Sequence, residues 1–93
     1  MYFVYILQSV KTGELYKGLT DDFDRRLLQH SQGKVSSTKN SLPLRIVHVE
    51  LCNTRPEARK VEKFFKSGFG REIIKEIIEV NLAQVVKWYT RVV

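Results

Sequence analysis

The sequence predicts one small α+β domain, and three observations carry that expectation. An aromatic and β-branched run, Tyr2 to Leu7, is followed after a glycine-containing turn by a second strand-like run from Leu15 to Thr20. Two clear capping signals then open stretches of helical period, and a third strand-like run, Leu44 to Leu51, lies between them. A chain of 93 residues suits a single core, because a chain this short buries only about 60 to 65% of its unfolded surface.

Tyr2-Phe-Val-Tyr-Ile-Leu7 has no helical period and reads as a strand buried on both faces, with Phe3, Tyr5 and Leu7 on one of them. Thr12-Gly13 marks the turn, and the returning strand puts Tyr16, Gly18 and Thr20 on a common face. A glycine at position 18, in the middle of a strand, implies a bulge or something approaching the backbone closely. Thr20, Asp21 or Asp22 can cap a helix from about Phe23 to Gln32, with apolar Phe23, Leu27 and Leu28 and a stop at Gly33. On it Arg26 and His30 are four residues apart and share a face, pointing away from Phe23 and Leu27 or flanking them. A strand end feeding a helix N-terminus also favours an anion, so Tyr16 to His30 is the candidate phosphate-facing stretch.

Lys34 to Pro43 reads as a polar, basic, mobile loop before the third strand. Thr54-Arg-Pro-Glu57 has the spacing of a capping box with proline in the first turn. Ala58, Val61 and Phe65 trace the buried stripe of the helix it opens, and Glu62 borders that stripe. Gly68-Phe-Gly70 is expected to end this helix, and Ile73, Ile74, Ile77 and Ile78 set a further helical period over about Arg71 to Glu79. Leu82, Val85, Val86 and Tyr89 continue at helical spacing, while Trp88 to Val93 also suits a short strand.

Composition narrows the partners. Sixteen Lys and Arg against ten Asp and Glu, with a pI near 9.7, favour a polyanion such as nucleic acid over an anionic membrane surface. From Arg25 to Val49 there are five basic residues and no carboxylate, although a solvated basic surface would show the same excess. The single Cys52 excludes an intrachain disulfide framework and a cysteine zinc cluster, and it reads as a packing residue. The apolar run Tyr2 to Leu7 is too short to span a membrane and lacks the marks of a signal peptide, so a cytoplasmic location is expected.

In chain order, Val4-Tyr5-Ile6-Leu7, Tyr16-x-Gly18-x-Thr20, Arg25-Arg26-x-x-x-His30 and Gly33 precede Ser37-Thr38-Lys39, Pro43 and Glu50. Ala58-x-x-x-Glu62 and Lys66-Ser-Gly68-x-Gly70-Arg71 follow. This pattern, over roughly residues 2 to 80, resembles the GIY-YIG nuclease superfamily. More narrowly it resembles the small stand-alone bacterial members related to the amino-terminal nuclease domain of the excision-repair endonuclease. The resemblance implies a three-stranded antiparallel sheet flanked by helices, and divalent-metal-assisted hydrolysis of DNA phosphodiesters. DNA repair or recombination is the implied setting. It makes Glu62 the ligand of a Mg²⁺ or Mn²⁺ ion and Arg26 the residue on the scissile phosphate. Tyr5 and Tyr16 would line the site and His30 would support it.

Those roles suit the residue types. An arginine fork offers two hydrogen bonds to non-bridging oxygens as charge develops. A hard cation held by one carboxylate and otherwise by water can make water nucleophilic and stabilise a leaving oxygen. Tyrosine is a poor base while its pKa stays near 10, so either Tyr5 or Tyr16 remains open as the group that orients or deprotonates water. Each residue also has a plain structural reading: the tyrosines as sheet aromatics, Arg26 paired with Asp22, Glu62 paired with Lys66 or Arg59, and His30 as a surface residue near a helix end. Phosphate contacts are expected from Arg25, Lys34, Lys39, Lys66 and Arg71, with weak sequence preference and steep salt dependence. The chain departs from the pattern at Phe3-Val4-Tyr5, which keeps only the tyrosine of Gly-Ile-Tyr, and at Tyr16-Lys17-Gly18, with lysine where isoleucine is usual. Lys17 falls on the face opposite Tyr16, so its stem must snorkel past a covering helix. A binding module that keeps the fold without efficient catalysis, and a protein-interaction domain using the valine-rich tail, are the alternative readings.

Overall fold

The computed structural model describes the backbone of residues 1–92 and the side chains of residues 1–81. Three strands, β1 (Tyr2–Ser9), β2 (Leu15–Thr20) and β3 (Leu44–Cys52), form one antiparallel sheet in the order β2-β1-β3. Helices α1 (Phe23–Ser31), α2 (Arg55–Lys66) and α3 (Gly68–Val92) complete it. The central strand is β1, which explains its unbroken apolar run: Val4, Tyr5, Ile6 and Leu7 are all buried.

Side-chain alternation divides the two faces. Val4 and Ile6 pack with Ala58, Phe65 and Ile74 in the core under α2 and α3. Phe3 and Tyr5, on the other face, meet Phe23 of α1 at ring separations of 6.0 and 5.9 Å. The β1–β3 ladder shifts register between Ile6 and Leu7, which pair with His48 and Ile46, so Val47 between them is the extra residue.

Local signals predicted the element ends well. Asp22 is the α1 cap, accepting from the Arg25 N–H at 3.1 Å, and Gly33 beyond its end has φ +73°. Gly13 in the hairpin turn has φ +80°. At α2 the Thr54 hydroxyl accepts from the Glu57 N–H at 3.3 Å, while the Glu57 carboxylate reaches back to the Asn53 N–H at 3.3 Å.

Two expectations are corrected here. Gly68-Phe69-Gly70 does not form a stop followed by a gap, because α3 begins at Gly68 and only Ser67 separates the helices. The Ser67 hydroxyl donates to the Phe64 carbonyl at 2.5 Å and accepts from the Gly70 N–H at 3.1 Å, so one residue ends α2 and starts α3. The backbone then stays helical through Val92, which decides against a strand at Trp88 to Val92. The expected apolar spacing of Leu82, Val85, Val86 and Tyr89 lies outside the described side chains. The second correction concerns residues 34–43, read from sequence as a mobile loop. Thr38 and Ser41 within it are buried, and the Ser9 hydroxyl donates to the Ser41 carbonyl at 2.7 Å, so it is tied to the sheet.

Candidate active site

Tyr5 organises the site because of what it faces. Its register partner on β2 is Gly18, and a Cβ built there would lie 2.8 Å from Tyr5 Cε1 and closer still to Cζ and the hydroxyl. Of the two readings of Gly18, close approach therefore holds, and the approaching group is the Tyr5 ring. The ring lies over Gly18 on an edge strand, and its hydroxyl meets Arg26 and His30 of α1.

The α1 stripe toward the sheet is therefore Phe23, Arg26 and His30, which all reach Tyr5, so Arg26 and His30 do not point away from Phe23. Leu28, expected to pack, is 56% exposed. At the α1 N-terminus the Asp22 carboxylate caps the Arg25 N–H, with Asp24 in the first turn, so the helix dipole there is already answered by carboxylates.

A donor chain can be read through these groups. Arg26 Nε donates to the Tyr5 hydroxyl at 3.4 Å, and that hydroxyl is 3.2 Å from His30 Nε2. His30 Nδ1 is 2.8 Å from the Thr38 hydroxyl, which donates to the Val35 carbonyl at 3.5 Å. With Thr38 donating to Val35, its hydroxyl accepts from Nδ1–H, and in that tautomer Nε2 of neutral His30 accepts the Tyr5 proton. Burial, and then the Arg26 charge, lower the His30 pKa from its ordinary value of 6.5. A ring-proton NMR titration should place it below 6.5, and Arg26→Gln should raise it partway, leaving the larger effect of burial. An unmoved value in that variant would remove the charge contribution. Well above pH 6.5 the ring is neutral in folded and unfolded chains alike; as pH falls through 6.5, the unfolded chain takes the proton first and stability drops.

Tyr16 is placed differently. Its hydroxyl donates to Glu14 at 2.8 Å and lies 2.7 Å from the Ser41 hydroxyl, so it pins the 34–43 segment against β2. Neither contact links it to a histidine.

The cleft continues around the β2 edge. In a volume of about 560 Å³, Tyr5, Tyr16, Arg26 and His30 are joined by Arg55, Arg59, Glu62 and Lys66 of α2. The α2 residues recur at helical spacing, as one stripe beside the Ala58, Val61 and Phe65 core stripe. All five residues expected to form the centre therefore line one cavity, although Arg26 and Glu62 belong to helices on opposite faces of the sheet. Glu62 also pairs with Lys66 at 3.7 Å, so its structural reading holds alongside the cleft position. An adjoining recess shares Arg26 and Arg55 and holds Arg25, Asp21 and Asp22.

Of the expected phosphate contacts, Lys66 lines the cleft and Arg25 the recess, while Lys34 and Lys39 are exposed on the 34–43 segment outside both. Exposed Arg71 lies near enough to Lys17 to lower its pKa, after burial and ahead of Lys66. Sequence reasoning missed Arg55, Arg59 and Thr38. The first two were visible as the register of Glu62 and Lys66, steps of three and then four residues back from Glu62 along one helix, whereas Thr38 became meaningful only once His30 was seen to be buried.

Among the described residues no three His, Cys, Asp or Glu side chains gather into a ligand cluster, and Glu62 is the one carboxylate lining the cleft. That donor set fits a cation held by one carboxylate and completed by water, as Mg²⁺ commonly is, and does not fit a caged ion.

Comparison with known proteins decides the family. A model of the GIY-YIG catalytic domain matches residues 1–75. The chain belongs to the GIY-YIG family. Its relatives are small bacterial UPF0213 proteins. One from Staphylococcus saprophyticus is 32% identical over 79 residues, covering 84% of this chain and 95% of the relative. One from Bacillus licheniformis is 35% identical over 66 residues, covering 70% and 67%. The solution NMR structure of a UPF0213 protein from Bacillus halodurans is 33% identical, superposes with a TM-score of 0.51, and covers 83% of this chain and 85% of that one. Family membership supports a nuclease-type function, and GIY-YIG nuclease domains act on DNA. No helix among the described residues is long and apolar enough to cross a membrane. Within this GIY-YIG domain, the glycine of the second tripeptide is the one beneath Tyr5, and its middle position is taken by Lys17.

Proposed function

We propose that this GIY-YIG domain is an endonuclease that hydrolyses DNA phosphodiesters in the cleft around the β2 edge, with Mg²⁺ or Mn²⁺ held at Glu62. The observation that carries the reading is the convergence of Arg26, the Tyr5–His30 pair and Glu62 from three elements on one cavity. A bound divalent cation would supply Lewis acidity and charge neutralisation there. The chain's own residues supply the rest. Arg26 presents its guanidinium to the non-bridging oxygens, where negative charge grows as water adds to phosphorus. Tyr5 takes a proton from that water while passing its own to neutral His30 Nε2, and the bond from phosphorus to the leaving oxygen breaks. This relay answers the objection that a phenol is a weak base, because Tyr5 never has to exist as free phenolate. Tyr16, engaged with Glu14 and Ser41, orders the cleft wall. Lys66, Arg25 and Arg71 serve phosphate contacts, with Lys34 and Lys39 left to longer-range attraction. A cytoplasmic setting suits the single cysteine, Cys52, which is buried and whose pKa burial raises, keeping it a thiol, and DNA repair or recombination is the role that would go with the activity.

Supercoiled, branched and single-stranded DNA incubated with the pure protein should be cut with Mg²⁺ or Mn²⁺ and spared when the cation is chelated. Tyr5→Phe should cut about 10² times more slowly, the scale of a positioned acid–base group. Equal cutting by wild type and Tyr5→Phe would remove Tyr5 from the relay, equal cutting by Arg26→Ala and Glu62→Ala as well would mean a contaminant, and binding without cutting by the wild type would make this a binding module of the same fold.

A further inference from the structure

We infer that Lys17 and Lys66, which line the cleft side by side, form a second anion site that takes the phosphate next to the scissile one, so that a DNA strand crosses the β2 edge instead of running along the sheet. The inference rests on the nuclease reading and adds to it a path for the substrate. Lys17 pairs in register with Ile6 and so points to the face covered by α2 and α3, as alternation required. An apolar side chain would pack there. Instead a half-buried lysine lines the cleft, and the ion pairs among the described residues are His48–Glu50, Lys66–Glu62 and Lys75–Glu72, none of which includes it. The charges that act on it, Arg71 and Lys66, carry its own sign, and the Glu62 carboxylate 3.7 Å from Lys66 offsets only one of the three cations. Such a group of cations is unfavourable by itself and is relieved by an anion among them, which is the field of a phosphate subsite.

The position makes this subsite an extension of the centre. Gly18 and Lys17 are consecutive on β2, so Tyr5 lies over one face of the edge while Lys17 serves the other. A strand held by Arg26 on the first face reaches Lys17 by passing around the edge, where β2 has no further strand and leaves backbone groups unpaired. The bulk of a second paired strand fits poorly against that turn, so single-stranded or frayed DNA is the substrate class implied.

Fluorescence anisotropy of the intact protein with a single-stranded oligonucleotide in chelator tests this, without needing cleavage. Replacing every second linkage of a short oligonucleotide with a neutral methylphosphonate, so that every register leaves either the scissile or the adjacent position neutral, should weaken wild-type binding about tenfold, as expected for one charge-assisted contact. Lys17→Ile should bind weakly from the start, lower the salt slope by about one, and be indifferent to the neutral linkages. Lys17→Arg should restore sensitivity. Thermal stability of Lys17→Ile should equal or exceed wild type, which separates lost binding from lost fold. Full sensitivity of Lys17→Ile to the neutral linkages would overturn the subsite, as would an equal slope change in Lys11→Gln at the exposed hairpin turn. Wild-type cleavage with either of those results sinks the subsite alone, whereas absence of any wild-type binding sinks the nuclease reading with it.

Discussion

Glu62→Gln should abolish cation-dependent cleavage while leaving the binding of intact DNA as strong as in the wild type or stronger. The substitution keeps the shape of the side chain and removes the one carboxylate that lines the cleft. Without that charge a hard cation loses its protein ligand, and the cleavage rate should fall by at least about 10²-fold, with added Mg²⁺ or Mn²⁺ failing to restore it. Binding moves the other way, because Lys66 loses its partner 3.7 Å away and becomes available to phosphate. Arg26→Ala should lose about 10² to 10³ in rate, the range seen when one donor to a developing oxyanion is removed. It should lose binding as well, so the two variants separate cation from phosphate. Gel assays of cleavage across a cation titration, beside anisotropy in chelator, read both. Wild-type cutting by Glu62→Gln would remove the cation from this site.

Gly70→Ala should destabilise the fold by about 3 kcal/mol, the upper part of the range for inserting a methyl group into packed structure. For a domain of this size that lowers the melting temperature by more than about 10 °C. Alanine in place of a helical glycine ordinarily stabilises by up to about 1 kcal/mol, so the expected sign is reversed. The reason is the corner at Ser67. A Cβ on Gly70 would stand 2.7 Å from the Phe65 Cα and nearer still to the Phe64 carbonyl, and those are backbone atoms of α2 that cannot swing aside. Gly68→Ala is the control, since a Cβ there meets nothing within 4 Å. Calorimetry of both variants decides it, and a stabilised Gly70→Ala would mean that α2 and α3 do not pack this closely. Gly18→Ala differs in kind, because the obstructing atoms belong to the Tyr5 side chain, which can rotate off the edge and take its hydroxyl away from His30.

Much of the site was legible because motif spacing on single helices is local. Arg26 and His30 on one helix, and Glu62 with Lys66 on another, follow from a period of 3.6 residues wherever those helices sit. What the periodicity misjudged is instructive. The apolar Leu28 looked like a core position and lies exposed, while polar Arg26 and His30 face the sheet, because a tyrosine hydroxyl waits there to satisfy them. The 34–43 segment looked like solvent-facing chain because its serines and threonine are polar, but Thr38 and Ser41 are buried as partners of His30 and Tyr16.

The sequence by itself determined the strand and helix order, the caps at Asp22 and Thr54, the left-handed turns at Gly13 and Gly33, and the residue pattern of the GIY-YIG family. Each follows from chemistry acting within a few residues. Only the tertiary structure decided that β2 is the sheet edge, that Tyr5 crosses Gly18 to reach His30, and that Glu62 on one face of the sheet shares a cleft with Arg26 on the other. Those facts depend on which strand pairs with which and on how helices pack over them. Such long-range pairings are chosen by burial of the whole core, which no local window of residues contains.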